Sequence, residues 1–279
     1  MASPSFRGWS IQIGMFFLWL FLAMAVSATD SGTGWKSPDP EANWFWQLDN
    51  EGALELPFDV WDVSLFDVTD NYLHTLKSQG VYIVCYFSLG TSEDYNPDRA
   101  DFLAADFGKA MEGYPKELWL DPQSANVRKV MTRRLDHAKA RGCDAVEPDN
   151  INYQDSDTGF AVSPTQQVAY LVWYSQEAHK RGLGIAMKNN LDQAELLQPY
   201  FDFAVNEQCF EYEECQELEV FVNAGKAVFN AEYLPKYQTS EEERRNLCRQ
   251  AKALNFRTLV LNEDLDGSYF YSCDLMFME

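Results

Sequence analysis

Eight times along this chain a short apolar run appears, and longer stretches with helical periodicity lie between most of them; that alternation constrains the fold more than any single motif. The apolar runs cover 44–49, 60–66, 81–88, 144–148, 184–188, 203–206, 227–231 and 257–262. The helical stretches open on capping residues, at Thr69, at Ser124, at Ser163-Pro164 and in "TSEEERR", and three of them stop at Gly80, Gly142 and Gly182. Strands alternating with helices make parallel βαβ units. Eight of them predict an α/β chain closed into a single-domain (β/α)8 TIM barrel over 44–279, with a doubly wound open sheet as the alternative. A length of 279 residues is ordinary for such a barrel. Neither a G-x-G-x-x-G nor a P-loop follows the first run, so nucleotide binding has no local support.

Residues 1–28 read as a targeting segment outside the fold: Arg7, then "IGMFFLWLFLAMAV", then the small residues Val26 to Ala28. This apolar run is shorter than the ~20 residues that span a bilayer, so a cleaved signal peptide and a secreted protein are expected, with an uncleaved anchor as the alternative. Residues 29–43 read as a loose leader. Six cysteines fit an oxidising compartment. Proximity pairs Cys209 with Cys215 and then Cys248 with Cys273, while Cys85 and Cys143, on consecutive strands, are either a third bridge or buried thiols. The net charge of −21 argues against nucleic acid as a partner, because phosphates demand Lys and Arg. Such an acidic balance either favours a cationic ligand or serves only solubility, and on charge alone solubility is the favoured reading. A monomer is expected.

In a barrel of this kind the site lies at the carboxyl ends of the strands. Those ends read "WQLD", "LFD", "CYFS", "EPDN", "MKNN", "NEQC", "NAEY" and "LNED", polar tips on apolar bodies. Side-chain alternation puts Ala145, Glu147 and Asp149 on one face of the fourth strand, and Phe203, Val205 and Glu207 on one face of the sixth. Asp149 and Glu207 are therefore a candidate carboxylate pair for glycoside hydrolysis. Glu147 has an alternative role as the ion-pair partner of Lys188. Lys188 beside Asp149 suggests a nucleophile held ionised, and the apolar neighbours of Glu207 suggest an acid with a raised pKa. The three histidines, His74, His137 and His179, fall in helical patterns away from the strand ends, which argues against a metal site and against a Ser-His-Asp triad. Nothing in the sequence calls for a cofactor.

"CDAVEPDN", "NEQCFEYEEC", "GKAVFNAEY" and "VCYFSLG", collinear between Trp44 and Tyr233, resemble the endo-α-1,4-polygalactosaminidase family of glycoside hydrolases. The resemblance implies a (β/α)8 enzyme that cleaves cationic, galactosamine-containing polysaccharide, with the family's catalytic pair on Asp149 and Glu207. It departs from the family pattern at Ser64, where an acid is expected, and at Asn152 and Asn190, where Asp is frequent. With that substrate, Trp46, Tyr86 and Tyr233 are candidate faces for sugar rings, with core packing as the alternative for each, and Gln47, Asn150 and Asn189 candidate hydrogen-bond partners for hydroxyls. Glu147, Lys188 and Glu232 complete the candidate binding set, Glu232 either meeting an amine or pairing with Lys188. The opposing class is a carbohydrate-binding protein on the same barrel without turnover.

Overall fold

The computed structural model describes residues 34–52 and 57–277. The expected signal peptide and the first residues of the expected leader lie outside them. All eight expected strands form: β1 (Trp44–Gln47), β2 (Val60–Ser64), β3 (Tyr82–Ser88), β4 (Ala145–Asp149), β5 (Gly184–Lys188), β6 (Phe203–Glu207), β7 (Val228–Glu232) and β8 (Arg257–Leu261). Each pairs in parallel with the next, from β1 through to β8. At the seam the Trp44 indole donates to the Arg257 carbonyl at 2.8 Å. A short strand, Phe270–Ser272, pairs antiparallel with β8. The architecture is a (β/α)8 barrel.

Two apolar layers follow from the period-2 alternation. Trp44, Val60, Val84, Ala145, Ala186, Phe203, Phe229 and Leu259 fill the barrel interior. Phe45, Ile83, Val146, Ile185 and Val228 face outward into the layer under the helices. The helices begin where the caps predict. Thr69, Ser124, Ser163 and Ser240 each accept a hydrogen bond from a first-turn amide of α1 (Asp70–Ser78), α2 (Ala125–Ala140), α3 (Pro164–Lys180) and a helix over Glu241–Ala253. Gly80, Gly142 and Gly182 follow the first three with φ of 83°, 87° and 67°, which explains why glycine stands there.

All three cysteine pairs are disulfides: Cys85–Cys143, Cys209–Cys215 and Cys248–Cys273. The leader, in contrast, is not loose over its described part. Trp35 stacks on His179 with centroids 3.8 Å apart and donates to Asp202 at 2.9 Å. Lys36 and Pro40 offer carbonyls to Tyr82 and Arg257, at the starts of β3 and β8. The chain thus crosses the end of the barrel opposite the polar tips.

A second departure matters for the site. Between β3 and α2 the chain forms a separate three-stranded antiparallel sheet from Thr91–Ser92, Phe107–Met111 and Tyr114–Leu120. Gly113, with φ of 80°, makes its tight turn. This sheet supplies one wall of the cleft described next.

Candidate active site

Three consecutive strands end in the same way. Asn150 follows β4, Asn189 follows β5 and Gln208 follows β6, with φ of 56°, 47° and 63°. A left-handed residue stops a strand abruptly, and Asn tolerates that conformation better than other non-glycine residues. The stop leaves Asp149, Lys188 and Glu207 as the last residues of their strands. The first turn is further fixed by Leu89 and Gly90, whose amides donate to the Asp149 carbonyl at 2.8 and 3.1 Å. A Cβ on Gly90 would lie 1.7 Å from the Asn150 carbonyl oxygen, so only glycine fits.

Lys188 is the centre of the arrangement. Its side chain is 3% exposed, and Nζ lies 3.3 Å from both Asp149 Oδ1 and Glu207 Oε2, and 3.2 Å from Glu147 Oε1. It also sits over the Trp46 ring, 4.9 Å from the centroid. Tyr86 donates to Asp149 Oδ2 at 3.0 Å, and the Asn150 amide to Asp149 Oδ1 at 2.7 Å. Tyr233 donates to Glu207 Oε1 at 2.6 Å and Asn189 Nδ2 to Glu207 Oε2 at 3.1 Å. Both catalytic candidates are therefore oriented by several donors each.

Burial is the largest influence on Glu207 and would raise its pKa. The Lys188 charge and the donors Tyr233, Asn189 and Lys188 outweigh it and hold the carboxyl below the ordinary glutamate range. The inference of a raised pKa from its apolar neighbours Phe203 and Val205 therefore has the wrong sign. Those donors lie on other strands, and only the folded chain adds them together.

Asp149, Lys188 and Glu207 line a cleft of about 670 Å³ together with Trp46, Tyr86, Asn150 and Asn189. Asn150 is committed to Ser88 and Thr91, at 3.0 and 3.2 Å, and Asn189 to Glu207. Four expected binding residues are placed elsewhere. Gln47 points away from the barrel axis and donates to the Asp49 carbonyl at 2.9 Å. Glu232 lies behind β7, fully buried, accepting from the Phe210 amide at 3.0 Å, and pairs with neither Lys188 nor the cleft. Glu147 is fully buried beneath the cleft as the ion-pair partner of Lys188. Tyr233, 7% exposed, offers its hydroxyl to Glu207 rather than a ring face to solvent.

The expected acid at Ser64 is replaced from nearby, since Asp67 lines the cleft and accepts from Ser64 Oγ at 2.6 Å. Sequence reading also missed Asp62, an Asp in mid-strand on β2, and the wall from the inserted sheet and the loop between its first two strands. That wall brings Tyr95, Tyr114, Glu93 and Glu117 to the cleft. Burial, then the Glu93 charge, pushes Glu117 up to about 7. A second pocket of about 310 Å³ shares Asn189 and Glu207 with the cleft and adds Asp155, Asp192, Tyr212 and Glu214.

A model of glycoside-hydrolase family GH114 matches residues 25–276. No curated protein matches the chain. Among solved structures, the chain is similar to Aspergillus fumigatus Ega3 in complex with galactosamine, at 30% identity and a TM-score of 0.80, over 85% of this chain and 97% of that one. The glycoside hydrolase domain of PelA from Pseudomonas aeruginosa shares the fold, at 15% identity and a TM-score of 0.65, over 81% of this chain and 96% of that one.

Proposed function

The chain belongs to glycoside-hydrolase family GH114, and from that membership we propose that it is a retaining, endo-acting hydrolase of cationic, galactosamine-containing polysaccharide. The observation that carries the mechanism is the shared ammonium. Asp149 and Glu207 each place an oxygen 3.3 Å from Lys188 Nζ, so those two oxygens are at most twice that distance apart. That bound accommodates the close pair of a retaining enzyme, about 5–5.5 Å apart, and reaches only the lower edge of the inverting range, about 6.5–9.5 Å.

The roles follow from position. A general acid must reach the oxygen joining two sugar units, and Glu207 borders both the cleft and the adjoining pocket, whereas Asp149 borders the cleft alone. Asp149 is the nucleophile. Glu207 protonates the leaving oxygen and then removes a proton from water. Space on both sides of Glu207 supports cleavage within a chain. The galactosamine in the Ega3 complex and the acids lining this cleft support an amine-bearing substrate. Three disulfides and the N-terminal apolar run support a secreted protein.

The test is release of reducing ends from de-N-acetylated polygalactosamine, with product anomers followed by NMR. Asp149→Ala and Glu207→Ala should each lower kcat by about 10³-fold or more. Azide should give an inverted glycosyl azide with the first variant and a retained one with the second. Binding without cleavage by the wild-type protein would favour the carbohydrate-binding class. Initial release of the inverted anomer would remove the nucleophile role from Asp149.

A further inference from the structure

Beside the cleft, the chain segments that follow β4, β5 and β6 enclose the second pocket. Its volume of about 310 Å³ is at the lower end of the range for ligand sites, about 300–1,000 Å³. Glu207 borders it and Asp149 does not. Asp155, Asp192 and Glu214 line it, and among the described residues no Lys, Arg or His does. Carboxylates gathered without a counter-charge repel one another. Burial, followed by the Asp192 and Asp155 charges, accordingly raises the Glu214 pKa.

Two features make this a built cavity rather than an acidic patch. Asn206 and Asn190 are 0% and 2% exposed, yet both line the pocket. Each Nδ2 donates once, Asn206 to Asn189 Oδ1 and Asn190 to Gln193 Oε1, both at 3.3 Å. A side-chain amide carries two N–H donors, so each of these has one that meets no acceptor among the described residues. A buried donor without an acceptor is costly, and a sugar hydroxyl in the pocket would supply one. The second feature is Tyr212, a lining residue that is 62% exposed. The Cys209–Cys215 bridge closes the loop that carries it, both cysteines are buried, and the Glu214 amide donates to the Cys209 carbonyl at 2.9 Å. An aromatic face fixed in advance loses little entropy when a ligand meets it.

We propose that this pocket is the subsite for the unit released at the cleaved bond and that it selects an amine-bearing hexose there. Tyr212 meets the ring face, Asp155, Asp192 and Glu214 meet the ammonium, and Asn190 and Asn206 donate to hydroxyls. The inference rests on Glu207 as the general acid. That residue protonates the oxygen joining the two units, so the released unit lies on its side away from Asp149, where this pocket is. The unit held at Asp149 occupies the cleft. Acetylation removes the charge of an amine, so a bond that releases a free galactosamine is cut and one that releases an acetylated unit is spared.

The experiment digests partially N-acetylated polygalactosamine and sequences the products by mass spectrometry. Hydrolysis turns the released unit into a new non-reducing end and the cleft unit into a new reducing end. With wild-type protein the ratio of free to acetylated units at the new non-reducing ends should be at least about tenfold that of the polymer. Asp192→Asn combined with Glu214→Gln should return it to within about threefold of the polymer and keep the preference at the reducing ends. Tyr212→Ala should lose about tenfold more kcat/KM on the polymer than on α-galactosaminyl fluoride, whose leaving group does not fill the pocket. A binding arm needs no turnover: a galactosamine tetramer is titrated by calorimetry into Asp149→Ala, and adding the two acid substitutions should weaken it about tenfold. Absence of wild-type cleavage refutes the hydrolase reading on its own, whereas unchanged affinity in the binding arm overturns the pocket. Non-reducing ends that mirror the polymer in the wild type overturn it too, as does a preference that survives the double variant. Loss of the preference at both ends together marks charge acting at a distance and overturns it as well, and so do equal losses on polymer and fluoride in Tyr212→Ala.

Discussion

Replacing Tyr233 by Phe removes one hydroxyl and leaves the ring packing in place. That hydroxyl donates to Glu207 Oε1 at 2.6 Å, a short bond to a carboxylate whose pKa is lowered. A hydrogen bond to a charged group contributes about 1.5–3 kcal/mol, and about 1.4 kcal/mol corresponds to one pH unit. The Glu207 pKa should therefore rise by roughly one to two units in Tyr233→Phe. The donor favours the ionised form, so its loss favours the protonated acid that the first catalytic step requires. With Glu207 below the ordinary range, the basic limb of the wild-type kcat/KM profile should lie on the acid side, and the variant should carry it toward neutrality. The sign for stability is separate. A carboxylate with a depressed folded pKa contributes stability above its unfolded pKa, and that contribution is lost as pH falls through the folded value. The variant should thus melt lower than wild type at neutral pH, by very roughly 3–10 °C, and equally with it in strong acid. The assays are reducing-end release across pH and thermal melts in matched buffers. A basic limb that stays put or moves to lower pH refutes the argument, and so does an equal loss of Tm at both pH values.

Two further outcomes follow from the fold. Gly90→Ala puts a methyl 1.7 Å from the Asn150 carbonyl and must displace the turn that ends β4; kcat should fall by at least about tenfold, and wild-type kinetics would show that the turn is not what holds Asp149. Glu232 is fully buried and pushed up to about 7, mainly by burial, so the native state binds more protons than the unfolded one between about pH 4.5 and 7 and stability falls as pH rises through that window. Glu232→Gln should reduce that fall by on the order of 1–3 kcal/mol in urea melts at about pH 8 and leave stability at about pH 5 nearly unchanged, and a parallel loss at both pH values would contradict it.

The barrel was legible because its rules are local: caps, glycine stops and apolar runs each report on a few neighbouring residues. Asp149 and Glu207 were legible for the same reason, through alternation within β4 and β6. The misplaced residues were mistakes of the same rule left unapplied. Trp46 and Ala231 face inward, so Gln47 and Glu232 beside them must face outward. Alternation from Val60 would likewise have put Asp62 inside. Other features lay beyond any local rule. Glu117 and Tyr114 reach the cleft from a sheet inserted between β3 and α2, and Glu93 from the loop after its first strand, placements that depend on contacts distant in sequence. The sign of the Glu207 shift depends on donors from two other strand ends.

Charge separates the site into two tiers with different tasks. Eight carboxylate side chains border the cleft, and Lys188 is its only bordering cation among the described residues. That cation is already committed to Asp149, Glu207 and Glu147. It leaves Asp67, Glu93 and Glu117 at the walls without a cationic side chain from the cleft lining. A neutral sugar gains little from such walls, whereas an ammonium group gains a partner and relieves their mutual repulsion. The Glu93 charge is one of the influences that raises Glu117 to about 7, and a bound amine between them would oppose it. Under the proposed function, recognition by the outer acids and chemistry by the inner pair are electrically distinct: the buried lysine holds Asp149 and Glu207 in register, and the walls are left for charge that a cationic polymer would bring.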